Sequence, residues 1–322
     1  MIIPTLDRPK DLTELLQTVL RQRTQPCETI IMDDSPTASA RNVAESFARQ
    51  FEAVGCELRY FRAPGQGLTI SKNLGIDRAR GDAVLFLDDD TLLHRDCIGV
   101  LASFFVTNPT ALGAQPKLLQ SSTSFWSPPR TTFRNAISKC LMLSYCEDNR
   151  SAMRRSGKCV LPRNITRVAP AQVLSGCSCY RRALFDAFRF DANLKQYGFL
   201  EDFDFSYRVQ KKYPYSLYLI PNAVVVHKSS THARLPTRSQ IYMRTIHWFY
   251  VFFDDVYDNS ALNLVAFLCA ILAEVLAMTA RLMLGRRHKG RSKQLVYLVH
   301  SHVLALRHAK KIAKGQLGFW DR

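Results

Sequence analysis

The chain has 322 residues, of which 47% are apolar and 22% are charged, and its formal net charge is +17. This length accommodates one large domain with appendages, and the composition is that of a folded protein. The nine cysteines form no C-x-x-C pair, which argues against a zinc ribbon and against a disulfide framework. We therefore expect a reducing, cytoplasmic location, and the amino-terminal residues show no secretory signal.

The positive charge is concentrated in two parts of the sequence. Residues 120–175 carry 9 Lys and Arg against 2 Asp and Glu, and residues 231–322 carry 14 against 5. Residues 1–119 are nearly balanced, with 13 against 15. Basic surfaces attract anionic lipid, nucleic acid or phosphorylated substrates, and charge alone does not distinguish these partners.

The first 119 residues alternate short apolar runs with helical patterns. Apolar and β-branched runs predict strands, and apolar residues at helical spacing predict helices between them. We expect the strands over 1–4, 28–32, 57–61 and 83–87, and the helices over 11–23, 40–51 and 70–80. This alternation predicts an α/β fold in which a mixed, mostly parallel, Rossmann-like sheet is flanked by helices.

Two of the predicted strands end in acidic clusters, at Asp33-Asp34 and at Asp88–Asp90. Ligands of such sheets bind beyond the carboxyl ends of the strands, so both clusters should face one crevice. Crowded carboxylates are unfavourable unless a cation lies between them, and Mg²⁺ or Mn²⁺ carrying diphosphate oxygens is a natural partner. The structural alternative is an acidic turn that caps the following helix.

The order of several motifs resembles glycosyltransferase family 2 on the GT-A fold. The strings that carry the resemblance are Ile2–Pro9, Ile31–Ser35, Ser71–Asp82, Leu85–Asp90, Ser175–Cys177, Tyr197–Asp202 and His227–Ser229. Each string is weak alone, whereas the ordered set at family-like spacing is strong and covers about two-thirds of the chain. The resemblance implies an inverting, metal-dependent enzyme of the non-processive type, because the processive synthases' Q-x-x-R-W is absent.

The resemblance also implies roles for individual residues. Asp202 would be the general base, and Glu201 would orient the base or, together with Gly176, bind the acceptor. The metal ligands would be Asp88, Asp90 and His227. Contacts to the nucleotide sugar are implied for Pro4, Thr5, Arg8, Asp34, Lys72, Asn73, Asp88, Asp89 and Arg244.

Each of these assignments has a structural alternative. The pair Glu201-Asp202 could serve only the dipole of the helix that follows, and His227 could be a satisfied structural histidine. Arg8 and Arg244 could be surface arginines. Lys72 stands where the family commonly has Arg, so the charge is kept but the planar fork is lost.

The predicted domain organisation follows from these motifs. A catalytic domain over 1–230 would contain a nucleotide-sugar half at 1–119, a basic insertion at 120–175 that includes Trp126–Pro129, and an acceptor half at 176–230. A helical, basic region would follow over 231–322.

Residues 261–284 are apolar and long enough to span a bilayer. On a helix, Asn263, Glu274 and Arg281 lie within about 20° of one line and form a narrow polar stripe. Basic residues follow, and a central Glu is costly in hydrocarbon, so we expect an interfacial helix on the anionic inner face of the cell membrane. The alternative is packing within the protein or between copies in a homo-oligomer.

The expected partners are a UDP- or dTDP-linked sugar and a saccharide, a lipid-linked acceptor or a surface-polysaccharide precursor. A nucleotidyltransferase of the same fold would want a glycine-rich loop after the first strand, and Thr5–Pro9 contains no glycine. A nucleic-acid-binding protein is suggested by the pI of 9.7. It is disfavoured because the acidic clusters would repel phosphate without metal, and we expect no nucleic-acid partner.

Overall fold

The computed structural model describes residues 1–120, 132–230, 235–284 and 290–319. These residues form two compact units. Unit one is described over 1–120, 148–151 and 162–230, and unit two over 132–147, 152–161, 235–284 and 290–319. The predicted Trp126–Pro129 part of the insertion and the basic residues at 286–289 lie outside the described residues.

The first 120 residues alternate strands and helices, and the bounds agree with the sequence-based expectation to within a few residues. The elements are β1 (Ile2–Thr5), α1 (Pro9–Leu20), β2 (Glu28–Asp33), α2 (Ala40–Ala53), β3 (Glu57–Arg62), α3 (Leu68–Arg78), β4 (Ala83–Leu85), β5 (Thr91–Leu93), α4 (Cys97–Thr107) and β6 (Gly113–Gln120).

The rest of the chain begins with short elements and becomes mainly helical. These elements are α5 (Thr132–Cys140), β7 (Tyr145–Glu147), β8 (Ala152–Met153), β9 (Cys159–Pro162), β10 (Ala169–Ala171), β11 (Cys179–Arg181), α6 (Glu201–Lys212), β12 (Leu217–His227), α7 (Thr237–Val251), α8 (Ala261–Leu284), α9 (Arg291–Arg307) and α10 (Ala309–Ile312). A short 3-10 helix covers Arg182–Asp186, and a π-helical turn covers Phe252–Val256.

The strands of unit one form a mixed sheet structure. Strands β1, β2 and β3 pair in parallel, and a parallel bridge from Ile2 to Phe86 connects β1 to the residues after β4. The remaining strands follow the order β10-β12-β6-β11-β4, with β5 paired to β12. In that group β12 and β6 are parallel, whereas β10, β5 and β11 run antiparallel to their neighbours. The predicted mixed sheet is confirmed.

Unit one has an apolar core on each face of this sheet. Ile3 and Ile31 belong to the cluster that contains the buried leucines of α1, whereas Ile2 and Ile30 belong to the cluster around Phe205 of α6. The split follows from strand geometry, because successive side chains point to opposite faces. Helices therefore cover both faces, and the open edge beyond the strand ends is left for polar residues.

Unit two is built around the helices α7, α8 and α9. Its core contains Trp248, Phe249, Phe252 and Phe267, and the rings of Phe252 and Phe267 stack with their centroids 3.9 Å apart. The short strands β7, β9 and β8 form a separate small sheet. Among the described residues, one helix, Ala261–Met283, has the length and apolar composition needed to cross a membrane.

Candidate active site

Asp88, Asp90 and His227 form a cluster of potential metal ligands. Antiparallel pairing of β5 with β12 places His227 opposite Thr91, next to the acidic turn that follows β4. His227 Nε2 lies 3.2 Å from Asp90 Oδ1 and 3.7 Å from Asp88 Oδ2. One ligand atom from each of the three residues lies within 4.8 Å of the others, so a single ion could contact all three.

The backbone and His227 both hold the carboxylate of Asp90 in place. Asp90 is 2% exposed, and its Oδ2 accepts a 2.9 Å hydrogen bond from the Ser230 backbone. Burial raises the pKa of Asp90, but the hydrogen bond and charge of His227 and the charge of Arg8 outweigh burial and lower it. Asp90 is therefore an anionic carboxylate held in a fixed position.

Asp89, the middle residue of the triplet, faces a different set of partners. Its Oδ2 accepts a 2.8 Å hydrogen bond from Thr5 Oγ1, and its Oδ1 accepts a 3.0 Å hydrogen bond from Arg8. Arg8 also donates to the hydroxyl of Tyr197 at 3.4 Å. Burial raises the pKa of Asp89 to about 6, although Arg8 and Thr5 act in the opposite direction. Asp89 thus anchors the loop after β1.

The acid pair at the start of α6 contacts a buried lysine. Lys72 Nζ donates to Asp202 Oδ1 at 2.7 Å and to Glu201 Oε1 at 3.1 Å, and its side chain is 2% exposed. Burial lowers the pKa of Lys72, but Asp202, Glu201 and Asp88 outweigh burial and raise it. Burial and the neighbouring Asp202 raise the pKa of Glu201 well above its usual range. Lys72 therefore stays charged and holds the acid pair.

Gly176 brings the metal cluster and the acid pair together. A Cβ atom on Gly176 would lie 3.1 Å from Asp88 Oδ2 and 3.4 Å from Asp202 Oδ2. The side chain of Asp202 is 13% exposed and that of Asp88 is 35% exposed, so both carboxylates remain accessible. The absence of a side chain at Gly176 leaves space beside both carboxylates.

The charges of this region fit a divalent cation. Among the residues that the structure describes, the contacts above connect five carboxyl groups (Asp88, Asp89, Asp90, Glu201 and Asp202) to two permanent cations, Arg8 and Lys72. Such an excess of buried negative charge is unfavourable without a further cation. Oxygen ligands with one imidazole suit Mg²⁺ or Mn²⁺, and Asp88, Asp90 and His227 are the residues that would hold the ion.

Asp34 and Asn73 make well-defined local contacts. The carboxylate of Asp34 accepts hydrogen bonds from the backbones of Gly65 and Gly67, at 2.7 and 2.9 Å, and so holds the loop before α3. The Asn73 side chain both donates to and accepts from the backbone of Phe190, at 2.8 and 3.0 Å. Both residues therefore order the backbone around the acidic edge.

Pro4 and Arg244 occupy different surroundings. Pro4 lies in β1 opposite Met32. Arg244 lies in α7 of unit two, where burial lowers its pKa to about 10 and the charge of Glu274 partly compensates. Arg244 is thus the one predicted nucleotide-sugar residue that belongs to unit two.

Sequence reasoning missed several residues that shape the site. The rings of Phe190 and Phe86 lie 4.8 and 5.7 Å from Lys72 Nζ, and buried Gln115 accepts a 2.6 Å hydrogen bond from the Ser175 backbone. Tyr197 belongs to the motif Tyr197–Asp202, but nothing in that motif predicts its contact with Arg8. No local pattern marks Phe190 or Gln115, because their partners lie far away in sequence.

Comparison with known families decides the classification. A profile described as "Glycosyl transferase family 2" matches residues 1–166, which is more than half of the chain. The chain belongs to glycosyl transferase family 2. This match ends before Gly176, Glu201, Asp202 and His227, so the geometry alone connects these four residues to the site.

Curated relatives of this family 2 chain are similar over about one third of its length. An uncharacterized glycosyltransferase of Rickettsia felis is 31% identical over 34% of this chain and 17% of its own length. A "PGL/p-HBAD biosynthesis glycosyltransferase" of Mycobacterium bovis is 29% identical over 39% of this chain and 48% of its own length. A "GalNAc(5)-diNAcBac-PP-undecaprenol beta-1,3-glucosyltransferase" of Campylobacter jejuni is 28% identical over 31% of this chain and 32% of its own length. The chain thus spans less than half of these relatives.

Solved structures show the same GT-A fold at low sequence identity. GalNAc-T7 with UDP, GalNAc and Mn²⁺ aligns with a TM-score of 0.56 at 16% identity, over 80% of this chain and 49% of its own. Mannosyltransferase PcManGT of Pyrobaculum calidifontis, in complex with GDP-Man and Mn²⁺, aligns with a TM-score of 0.54 at 16% identity, over 95% of this chain and 86% of its own. S. aureus TarS 1-349 with UDP aligns with a TM-score of 0.52 at 15% identity, over 98% of this chain and 87% of its own. The predicted GT-A fold is confirmed.

Proposed function

We propose that this protein is an inverting, metal-dependent glycosyltransferase that moves a sugar from a nucleotide-diphosphate donor to an acceptor hydroxyl. The observation that carries the proposal is the joint placement of Asp88, Asp90 and His227 beside Asp202, with the side-chain-free Gly176 between the two groups. Membership of glycosyl transferase family 2 and the named activities of the relatives support it.

The proposed reaction is a single displacement at the anomeric carbon. The acceptor oxygen forms the new bond as the bond between the anomeric carbon and the diphosphate oxygen breaks, and the diphosphate leaves with the electron pair. Asp202 takes the acceptor's proton, because it is the accessible carboxylate of the acid pair and Lys72 fixes its other oxygen. Attack from the face opposite the leaving group inverts the configuration.

The charged residues divide the remaining work. A divalent ion held by Asp88, Asp90 and His227 would neutralise the diphosphate, so the leaving group needs no general acid. Arg8 lies next to the ion's ligands, 3.7 Å from Asp90, and can add positive charge near the phosphates. Glu201 shares Lys72 with Asp202 and orients the base or the acceptor. Gly176 gives the acceptor room.

The partners are proposed from the comparisons and the charge distribution. Solved structures of the same fold contain UDP, UDP-GlcNAc or GDP-Man, which supports a nucleotide-sugar donor, and we keep a UDP- or dTDP-linked sugar as the first choice. The name of the Campylobacter jejuni relative supports a lipid-linked acceptor. The division into a catalytic region over 1–230 and an appendage over 231–322 stays a prediction.

A donor screen tests the proposal directly. Purified protein is incubated with individual UDP-, dTDP- and GDP-sugars, with and without Mn²⁺ or Mg²⁺, and nucleotide release is measured together with the thermal shift. We expect one donor class to stabilise the protein and to be slowly hydrolysed only when metal is present. Stabilisation by oligonucleotides alone, with no response to any sugar nucleotide, would reject the proposal.

A further inference from the structure

The exposed residues of α8 are all apolar. Every residue that is exposed among positions 261–283 is apolar, and Leu262, Val265, Leu268, Leu272, Leu276 and Met283 are 48–78% exposed. At about 100° per residue these six positions cover roughly one third of the helix circumference. A contiguous apolar surface of this length is unusual for a protein surface that faces water.

Two polar side chains of α8, Asn263 and Glu274, point to the opposite side, into unit two. Asn263 is 5% exposed and donates a 3.0 Å hydrogen bond to the Val256 carbonyl. Glu274 lies 2.6 Å from Lys158 Nζ and 3.3 Å from His302 Nε2. A helix that lies on a membrane by itself usually turns its polar stripe to water. Here Asn263 and Glu274 of the polar stripe have partners inside unit two, and the exposed residues are apolar.

The residues around this face are strongly basic. Between residues 259 and 320, Glu274 is the single acidic residue, whereas ten residues are Lys or Arg. Lys293, Lys310, Lys311 and Lys314 are exposed in the segments after α8. Because the one carboxylate is paired inside the unit, the surface charge of this region complements an anionic partner.

We propose that the outward face of α8 inserts into the interface of an anionic phospholipid bilayer, with the helix axis in the membrane plane. The lysines near α9 and α10 then contact the lipid headgroups. This inference rests on the proposed function for its role, because it would hold the transferase beside a lipid-linked acceptor. The surface itself follows from burial and charge alone.

Contacts along the inner side of α8 favour the in-plane orientation over a membrane span. Asn263 near one end accepts a 3.3 Å hydrogen bond from Arg155, and Glu274 in the second half holds Lys158. Lys158 also lies 3.2 Å from the centre of the Trp248 ring. A spanning α8 would carry these charged residues into hydrocarbon, which is costly. An in-plane helix leaves them on the water side.

The same charges disfavour a second copy of the chain as the partner of this face. Two copies joined through α8 would bring the basic residues of both copies close together, with no exposed carboxylate between residues 259 and 319 to compensate. Repulsion between like charges opposes such an interface at low salt. An anionic bilayer supplies the missing negative charge.

Vesicle flotation with the full chain tests the proposed surface. The vesicles contain phosphatidylcholine alone, or phosphatidylcholine with one part in three phosphatidylglycerol. We expect the wild type to float only with the anionic vesicles. The affinity of Val265→Glu/Leu272→Glu for these vesicles should be at least about tenfold lower. Val106→Glu is the matched control, since Val106 is 80% exposed on α4 of unit one. It should float like the wild type.

Four results of this experiment would overturn the proposal. The first is a wild type that does not bind anionic vesicles, and the second is unchanged binding by the double variant. The third is light scattering that shows a wild-type dimer which the double variant loses, because a second copy would then cover the face. Equal loss in Val106→Glu would also contradict it, since the effect would not be specific to α8.

Cys269 provides a measure of insertion depth. It is an exposed thiol on the outward side of α8, and Cys27→Ser/Cys140→Ser removes the two other exposed thiols among the described residues. A fluorophore on Cys269 should be quenched by lipids brominated near the headgroup. Stronger quenching by lipids brominated near the chain ends would indicate a span and overturn the in-plane orientation.

Failure of this inference can be separated from failure of the proposed function. Donor binding with Mn²⁺ is measured on the same variants without vesicles. Val265→Glu/Leu272→Glu should keep this binding within about twofold while it loses vesicle binding, because α8 lies outside unit one. A wild type that binds vesicles but no sugar nucleotide would refute the transferase and leave the surface intact.

Discussion

The two units each bury a group of charges, and the two groups differ in their balance. In unit one, five carboxylates meet two permanent cations around Asp90 and Asp202. In unit two, the single carboxylate of Glu274 lies between Lys158 and His302. The first group is short of positive charge, whereas the carboxylate of the second group already has cationic partners within the chain, and its charge also acts on Arg244.

The difference indicates which group serves a ligand. A buried group with unbalanced charge is stable only when a partner from outside supplies the missing charge, and it is available for binding and catalysis. A carboxylate that is already paired within the chain needs no such partner and serves structure. Substitutions in unit one should therefore change activity and donor binding more than stability, and substitutions at Glu274 should do the reverse.

Removal of the proposed base should have the largest effect. Asp202→Asn keeps the shape of the side chain but cannot accept the acceptor's proton, so we expect kcat to fall by at least about 10³-fold. The affinity for the donor should change by less than about threefold, because the metal ligands are intact. Transfer is measured as nucleotide release with acceptor present, and donor affinity by calorimetry with Mn²⁺.

The control for this variant is Asp186→Asn, which changes an exposed aspartate of unit one. It should retain wild-type activity. Full activity in Asp202→Asn would remove the base assignment, and the comparison between the two units would then rest on metal binding alone.

Loss of a metal ligand should have the next largest effect. Asp90→Asn removes the anionic ligand that His227 and the Ser230 backbone hold in place. We expect donor affinity in Mn²⁺ to fall about 100-fold, with little change in the weak affinity measured in EDTA. Asp96→Asn, at a surface ion pair with Arg23, is the matched control. Equal donor affinity for Asp90→Asn and wild type in Mn²⁺ would contradict the metal site.

Lys72 distinguishes a nucleotide contact from a positioning role. The sequence resemblance implies the first, and the 2.7 Å contact with Asp202 favours the second. If Lys72 positions the acid pair, Lys72→Gln should lower kcat by about 10- to 100-fold and leave donor affinity within about threefold. Lys72→Arg should recover part of the activity because it keeps the charge. A weakened donor affinity with normal kcat would instead support the nucleotide contact.

The sequence predicted the architecture of unit one well for a simple reason. Its strands and helices differ in apolar periodicity, and the strand over 83–87 is apolar without interruption, as expected for a strand covered on both faces. The position of Asp88–Asp90 at the open edge follows from the order of the elements. The ordered motifs then led to the family that the profile match shows.

The sequence could not predict contacts that depend on distant residues. The contact of Lys72 with Glu201 and Asp202 joins positions about 130 residues apart, and Lys72 was predicted to meet the nucleotide. Periodicity places Asn263, Glu274 and Arg281 on one line of α8, but it does not determine whether that line faces solvent or the interior of the protein. That direction depends on Lys158, which no local pattern connects to Glu274.

Glu274→Gln is expected to have the smallest effect on activity and a clear effect on stability. Burial raises the pKa of Glu274, but Lys158 and His302 outweigh it and lower the pKa to about 2. An unfolded glutamate has a pKa of about 4.3, so the carboxylate stabilises the folded state by roughly 3 kcal/mol at neutral pH. Because the folded pKa is the lower one, this stabilisation is present above about pH 5 and is lost as the pH falls towards 2.

Urea unfolding measures this contribution. The free energies of unfolding of wild type and Glu274→Gln should differ by about 2–3 kcal/mol at pH 7, and the difference should narrow at pH 4. Glu45→Gln, an exposed glutamate on α2, should leave the stability unchanged at both values of pH. Equal stability of Glu274→Gln and wild type at pH 7 would show that the charges of unit two are not mutually stabilising, and the contrast with unit one would fail.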